Sequence, residues 1–237
     1  CTELTGINIT DISHWLQIQF NSAESNPLYE YNNLYLNGNL LTDVVVPDSI
    51  TAIQNHAFVN CYSIQSVTLG DGVESVGTGA FTNCKNLTNF TFGNGIKTIQ
   101  ANMFSGCTNL TTVVLSDSVE TIGEYAFSTC KNLEEISLGS GLTTIGQYAF
   151  DNCDSLLTLE IPQNVTSIGQ YAFANCDSLQ TVTINAALET AEAYMFTNCD
   201  SLTTINFGDT CTKIGSYAFA ECDGIVSVTI PETVVSI

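Results

Sequence analysis

The chain has 237 residues, only 12% of them charged, and its four lysines (Lys85, Lys97, Lys131, Lys213) face 24 carboxylates for a net charge of −20. Nucleic-acid phosphates and anionic lipids are held by lysine and arginine, so this balance excludes DNA, RNA and anionic membranes as partners. Its field attracts cationic proteins or divalent cations instead.

Cys1, with Leu4, Ile7 and Ile9 at +3, +6 and +8, has the spacing of Cys61 with Ile64, Val67 and Leu69. Residues 1–9 therefore read as the second half of a repeat cut from a longer array. Residues 10–40 break the rhythm as an insert. Asp11 is placed to cap a short helix whose Ile12, Trp15 and Leu16 share one face. Asn26-Pro27 signals a turn, and 34–40 reads as a β-hairpin about Asn37-Gly38, a pair that favours a type I′ turn. The insert holds the one tryptophan and is read as structural rather than as a ligand-contacting protrusion.

Across 41–237 a single period governs. Phenylalanine stands at 58, 81, 104, 127, 150, 173, 196 and 219, always 23 residues apart, and a cysteine follows each by three places. Eight copies without a slip indicate a solenoid. With Phe as zero, apolar slots fall at −1, 0, +3, +6, +9, +11, +15 and +18. The stretch +6 to +11 reads as a strand, rich in β-branched residues. A breaker follows it in most copies (Pro47, Gly70, Gly93, Gly139, Pro162, Gly208, Pro231) and demands a turn. Slots +15 and +18 suit a second, short strand, and Gly-x-x-Ala-Phe-x-x-Cys suits one tight helical turn. One coil encloses too little interior to be stable, so coils must stack at about the 4.8 Å strand spacing, like residue on like. At the far end, Val228, Ile230, Val234 and Ile237 are expected in the slots of Val67, Leu69, Val73 and Val76. Further repeats of the same chain are expected beyond both ends.

Residues 154–177 come close to the pattern Leu-x-x-Val-x-Leu-Pro-x-x-Val-x-x-Ile-Gly-x-x-Ala-Phe-x-x-Cys-x-x-Leu, which resembles the BspA-like class of leucine-rich repeat. The resemblance covers about 41–237. The insert, through Trp15, Asn26-Pro27-Leu28 and 34–38, is similar to a segment found between arrays of that class. The fold so implied is a β-rich α/β solenoid of 23-residue coils, a parallel sheet on one face and short helical turns on the other. The resemblance also implies an extracellular or cell-surface protein that adheres to host or extracellular proteins or glycans, with no catalytic residues to carry over. The rival reading is a structural stalk or spacer of a larger surface protein or secreted enzyme.

Ten cysteines in such a chain would ordinarily suggest disulfides. Stacked side chains, however, keep their Cβ atoms about 4.8 Å apart, beyond the roughly 3.5–4.5 Å that a bridge needs. Free, buried thiols are expected, with Cys211 in a +15 slot. Neither His14 nor His56 can be paired with a nucleophile, so no enzyme is expected. Candidate binding residues lie on the variable positions. Tyr125, Tyr148, Tyr171, Tyr194 and Tyr217 form a column at −2, suited to protein or glycan contact or to shielding the core edge. The outward strand positions, including Thr112, Glu135, Thr158, Thr181 and Thr204, form a hydroxyl-rich face with an acidic spot at Glu134, Glu135 and Glu160. Asp154, Asp177, Asp200 and Asp223 form a like-charge column to which Ca2+ would be drawn, although no Gly-Gly-x-Gly-x-Asp repeat accompanies it. No other cofactor or metal site is indicated.

Overall fold

The computed structural model describes residues 4–207 and 210–237, so Cys1 and Gly208 lie outside the described residues. The array is a stack of like segments in register. Its main face carries the strands Asp43–Val46, Ser66–Leu69, Asn89–Thr91, Thr112–Val114, Glu135–Ser137, Thr158–Ile161, Thr181–Ile184 and Thr204–Asn206. All pair in parallel with partners 23 residues away, as in Thr112↔Glu135 and Thr158↔Thr181↔Thr204. A second edge carries two-residue strands from Ala52–Ile53 to Lys213–Ile214, again parallel. The slots read from the sequence are the core: Ala149, Phe150, Cys153, Leu156, Leu159, Ile161, Val165 and Ile168 are all buried.

The turns on the remaining side are short, and their hydrogen bonds alternate between two kinds. Within a coil, Ala80, Thr82 and Cys84 donate their N–H groups to Gly77, Gly79 and Phe81. Between coils, Gly79, Phe81 and Asn83 donate to Ala101, Met103 and Ser105 at 3.0, 3.0 and 2.7 Å. The N–H groups of the turn are thereby satisfied without a continuous helix. The alternation requires left-handed residues at −2 and +2, where φ is 57° at Asn102, 61° at Gly79, 57° at Asn83 and 75° at Gly106.

Phenylalanine rings stack along the axis at 5.1–5.4 Å between centroids where nothing intervenes, as for Phe127–Phe150 and Phe173–Phe196. Where Phe90 or Phe207 meets the column edge-on, the spacing opens to 5.9 Å (Phe81–Phe104) or 5.7 Å (Phe196–Phe219). Removing one such ring would cost about 3–5 kcal/mol in lost burial and cavity.

Beside that column run the cysteines. The nine described ones are free and buried. They do more than fill space. The Phe58, Phe81, Phe104 and Phe127 carbonyls each accept the N–H of their own cysteine, as Cys130 to Phe127 at 3.2 Å, and the thiol of the next coil's, as Cys153 Sγ–H to Phe127 O at 3.3 Å. Cysteine is small enough for the slot and, unlike alanine, supplies the donor for the second lone pair.

The insert closes the first coil. Helix Ile12–Leu16 is capped by Asp11, which accepts the Ser13 N–H, and the hairpin turns at Asn37 (φ 52°) and Gly38 (φ 80°) as a type I′ turn requires. The sequence reading lacked the 3₁₀ turn Ala23–Ser25 and the helix Leu28–Tyr31, which Pro27 opens. Elsewhere in the array the −1 carbonyl accepts the Phe N–H of the preceding coil, as Phe58 N–H to Ala80 O. Ala57 has no such coil. Instead Trp15 Nε1–H and Asn26 Nδ2–H donate to its carbonyl at 3.0 Å each, and Asn26 also reaches His56 O at 2.8 Å.

At the other end the register continues on the second edge, where Lys213 bridges Ser236 in parallel and Val234 packs on the cluster of Cys211 and Ile214, but not on the strand face. Val228 and Ile230 lie outside any strand and are 44% and 39% exposed, while Ile237 is exposed and Val234 half-buried.

Burial pushes the Cys61 thiol up to about 11 and those of Cys84, Cys107, Cys130 and Cys153 well above their usual range. These thiols are therefore expected to resist maleimide at pH 8 in the native protein and to label fully in urea. Mass spectrometry of labelled protein checks this; rapid native labelling of Cys130 or Cys153 would contradict the packing.

Candidate functional site

The tyrosine column is a consequence of the turn geometry. Each ring-bearing residue occupies the left-handed −2 position, with φ of 55–59° from Tyr125 to Tyr217. Asparagine or glycine fits that position with less strain, as Asn102 and Gly79 show. A left-handed residue with a Cβ costs roughly 1–2 kcal/mol. Against this, the five rings stack in four pairs at 4.8, 4.7, 4.5 and 5.1 Å, within 12° of parallel. An aromatic pair contributes about 0.5–1.5 kcal/mol beyond area burial. Over five residues and four pairs the stacking, about 2–6 kcal/mol, does at best little more than offset the strain of about 5–10 kcal/mol, so ring–ring contact by itself gives no reason for five consecutive tyrosines. The stacking also decides what the column can display. Ring faces cover one another, and the edges face outward. Tyr217, 63% exposed, keeps one face open at the column's end. A sugar ring cannot lie flat on the interior members. What the column offers is a ribbon of phenol edges.

The strand face is separate from this column. Thr112, Glu135, Thr158 and Thr204 are exposed and Thr181 half-buried, all at the same outward register. This ribbon is not continuous: the ladder is interrupted between Asn89–Thr91 and Thr112–Val114, and again between Glu135–Ser137 and Thr158–Ile161. Phe90 and Phe92 stand at the first seam, where Phe90 packs edge-on against Phe104 at 4.7 Å. Each seam is a cleft, of about 400 Å3 over Phe90, Phe92 and Val114 and of about 430 Å3 between Glu135 and Glu160. Sequence reasoning found the two glutamates but not the cleft, because seam width depends on how neighbouring coils pack.

The family model described as the BspA type leucine rich repeat region matches in six copies over residues 31–157 and 124–237. The chain belongs to the BspA-type leucine-rich repeat family. Among solved structures it is similar to a leucine-rich repeat protein of Bacteroides ovatus (TM-score 0.64, 22% identity, 87% of this chain and 64% of that one). It is also similar to a leucine rich cell surface protein of Faecalibacterium prausnitzii (TM-score 0.58, 25% identity, 85% and 70%). A third is the T. pallidum leucine rich repeat protein (TM-score 0.54, 23% identity, 81% and 74%). The chain thus spans 64% of the length of the Bacteroides protein. A search of curated proteins finds no match.

Within this BspA-type array the aspartate column does not converge. Among the described residues no group of three His, Cys, Asp or Glu side chains could hold a metal ion. Lys131 Nζ sits 3.1 Å from Asp154 Oδ2 at one end of the column. His56 is half-buried, which lowers its pKa, and lies under the insert; His14 lines a separate cleft with Asp11 and Trp15. Asp177 is raised above the usual carboxylate range, first by desolvation and then by Asp154 and Asp200. A raised carboxylate favours the fold while protonated, and that contribution is lost as pH rises through its folded pKa. Asp177→Asn is therefore expected to raise the thermal midpoint at pH 7 and to leave it unchanged at pH 3. Calorimetry at the two pH values checks the sign.

Proposed function

We propose that this array is a binding and adhesion scaffold, displayed at a cell surface or secreted, that contacts extracellular or host proteins or glycans through many small contacts along its length and performs no chemistry. Membership of a repeat family whose solved relatives include a bacterial cell surface protein supports the setting. The observation that carries the binding role is the tyrosine ribbon. Five residues hold a strained backbone that asparagine or glycine would hold with less strain, and their stacking no more than offsets it. What remains is a long amphipathic edge of rigid side chains with few rotamers to freeze on binding. Hydroxyls of the threonine face would add hydrogen-bonding contacts on another side.

The test separates binding from core shielding. Tyr148→Asn with Tyr171→Asn keeps left-handed residues at −2, so unfolding free energy is expected to change by no more than about 1 kcal/mol. Retention on immobilised extracellular-matrix proteins and on a glycan array should fall at least tenfold. A large stability loss would make the column a structural shield. No ligand for the unsubstituted chain would make the array a stalk.

A further inference from the structure

The seam between Glu135–Ser137 and Thr158–Ile161 combines three features. Its floor is apolar surface that is partly open, as it is at Phe92, Ile205 and Phe207 in the same slots of other coils. Ile136 and Leu138 are half-buried, whereas their counterparts Val113 and Leu115, or Leu159 and Ile161, are 0–3% exposed. Its rim is acidic on both sides, with Glu135 on one coil and Glu160 on the next. Neither carboxylate has a countercharge among the described residues, where the salt bridges are Lys97–Glu120 and Lys131–Asp154. Glu160 is also held in place, its Oε1 accepting from Asn185 Nδ2 at 2.8 Å. The other seam, over Phe92 and Val114, has no carboxylate on its rim.

An aliphatic floor between two unpaired carboxylates complements an amphipathic cation, one with an apolar stem and a charged head. The cleft runs along the two strands and is about 430 Å3, room for one such side chain and its flanking backbone. We propose that this cleft docks an extended segment of a partner protein that presents an arginine or lysine. The stem lies over Ile136, Leu138 and Pro162, and the head reaches Glu135 and Glu160. Thr158 and Ser137 flank the path of the peptide backbone. The proposal rests on the reading of the array as a binding scaffold and gives one of its sites a ligand chemistry.

The test is an NMR titration of the full chain, with isoleucine, leucine and valine methyls labelled. The probe is a nine-residue acetylated Gly-Ser peptide with one central arginine, set against the same peptide carrying citrulline, which keeps the shape and removes the charge. The arginine peptide should shift the Ile136 and Leu138 methyls and leave Val114 and its seam unmoved. The citrulline peptide should bind at least tenfold more weakly. Glu135→Gln with Glu160→Gln should abolish the shifts; both residues are exposed, and the amide introduced by Glu160→Gln would keep an oxygen for Asn185 to contact. Equal binding of the two peptides, shifts that survive the double substitution, or shifts spread over all acidic surfaces would each overturn the proposal. Unmoved cleft methyls would overturn it while leaving the tyrosine ribbon intact. Loss of binding in the tyrosine variants would leave this titration as it is.

Discussion

The core columns of the array stack like residue on like from coil to coil, as the phenylalanine rings do. A single coil encloses a Phe, a Cys, an Ala and five aliphatic residues, too little to fold alone, and the coil above and the coil below complete its interior. That demand sets the rest. It fixes the 23-residue spacing, because a coil of another length would offset each column. It requires parallel pairing, and it requires the turn side to carry hydrogen bonds from coil to coil as well as the strands do. The shared Phe carbonyl shows how closely the demands are met: one acceptor takes a backbone N–H from its own coil and a thiol from the next.

The same repetition separates scaffold from surface. Positions that point inward can hardly vary, and the functional weight falls on columns that point out. Yet the outward columns inherit their geometry from the scaffold. The tyrosines stand where the turn needs a left-handed residue, and the stack they make turns their faces away from solvent. The clefts of the strand face open where a coil fails to close on its neighbour, once beside Phe90 and Phe92 and once between two coils without any aromatic wedge. Ligand chemistry on such a rod is thus a matter of local departures from the repeat.

Much of this was legible in the sequence because a period is itself a record of packing. Phe, Cys and the aliphatic slots could be assigned by counting, and the helix and hairpin of the insert by Asp11 and Asn37-Gly38. Other features depend on contacts far apart in the chain. That Asn26 and Trp15 stand in for a missing coil at Ala57 follows from no local pattern. The left-handed backbone of the tyrosines left a trace that could have been read, since Gly79 and Asn102 share their column and Asn60 and Asn83 fill the matching one. The seams left none, and neither did the exposure of Val228 and Ile230, which in the repeat pattern look like any other core residues.

The demand for like-on-like stacking is tested most directly by removing residues in and out of register. Deleting 146–168 joins Ile145 to Gly169 and restores the repeat with one coil fewer; deleting 146–167 removes one residue less and offsets all columns that follow. Urea unfolding followed by circular dichroism should show a cooperative transition for the first, with native β content, and none for the second. If the two deletions unfold alike, stacking in register is not what holds this fold together.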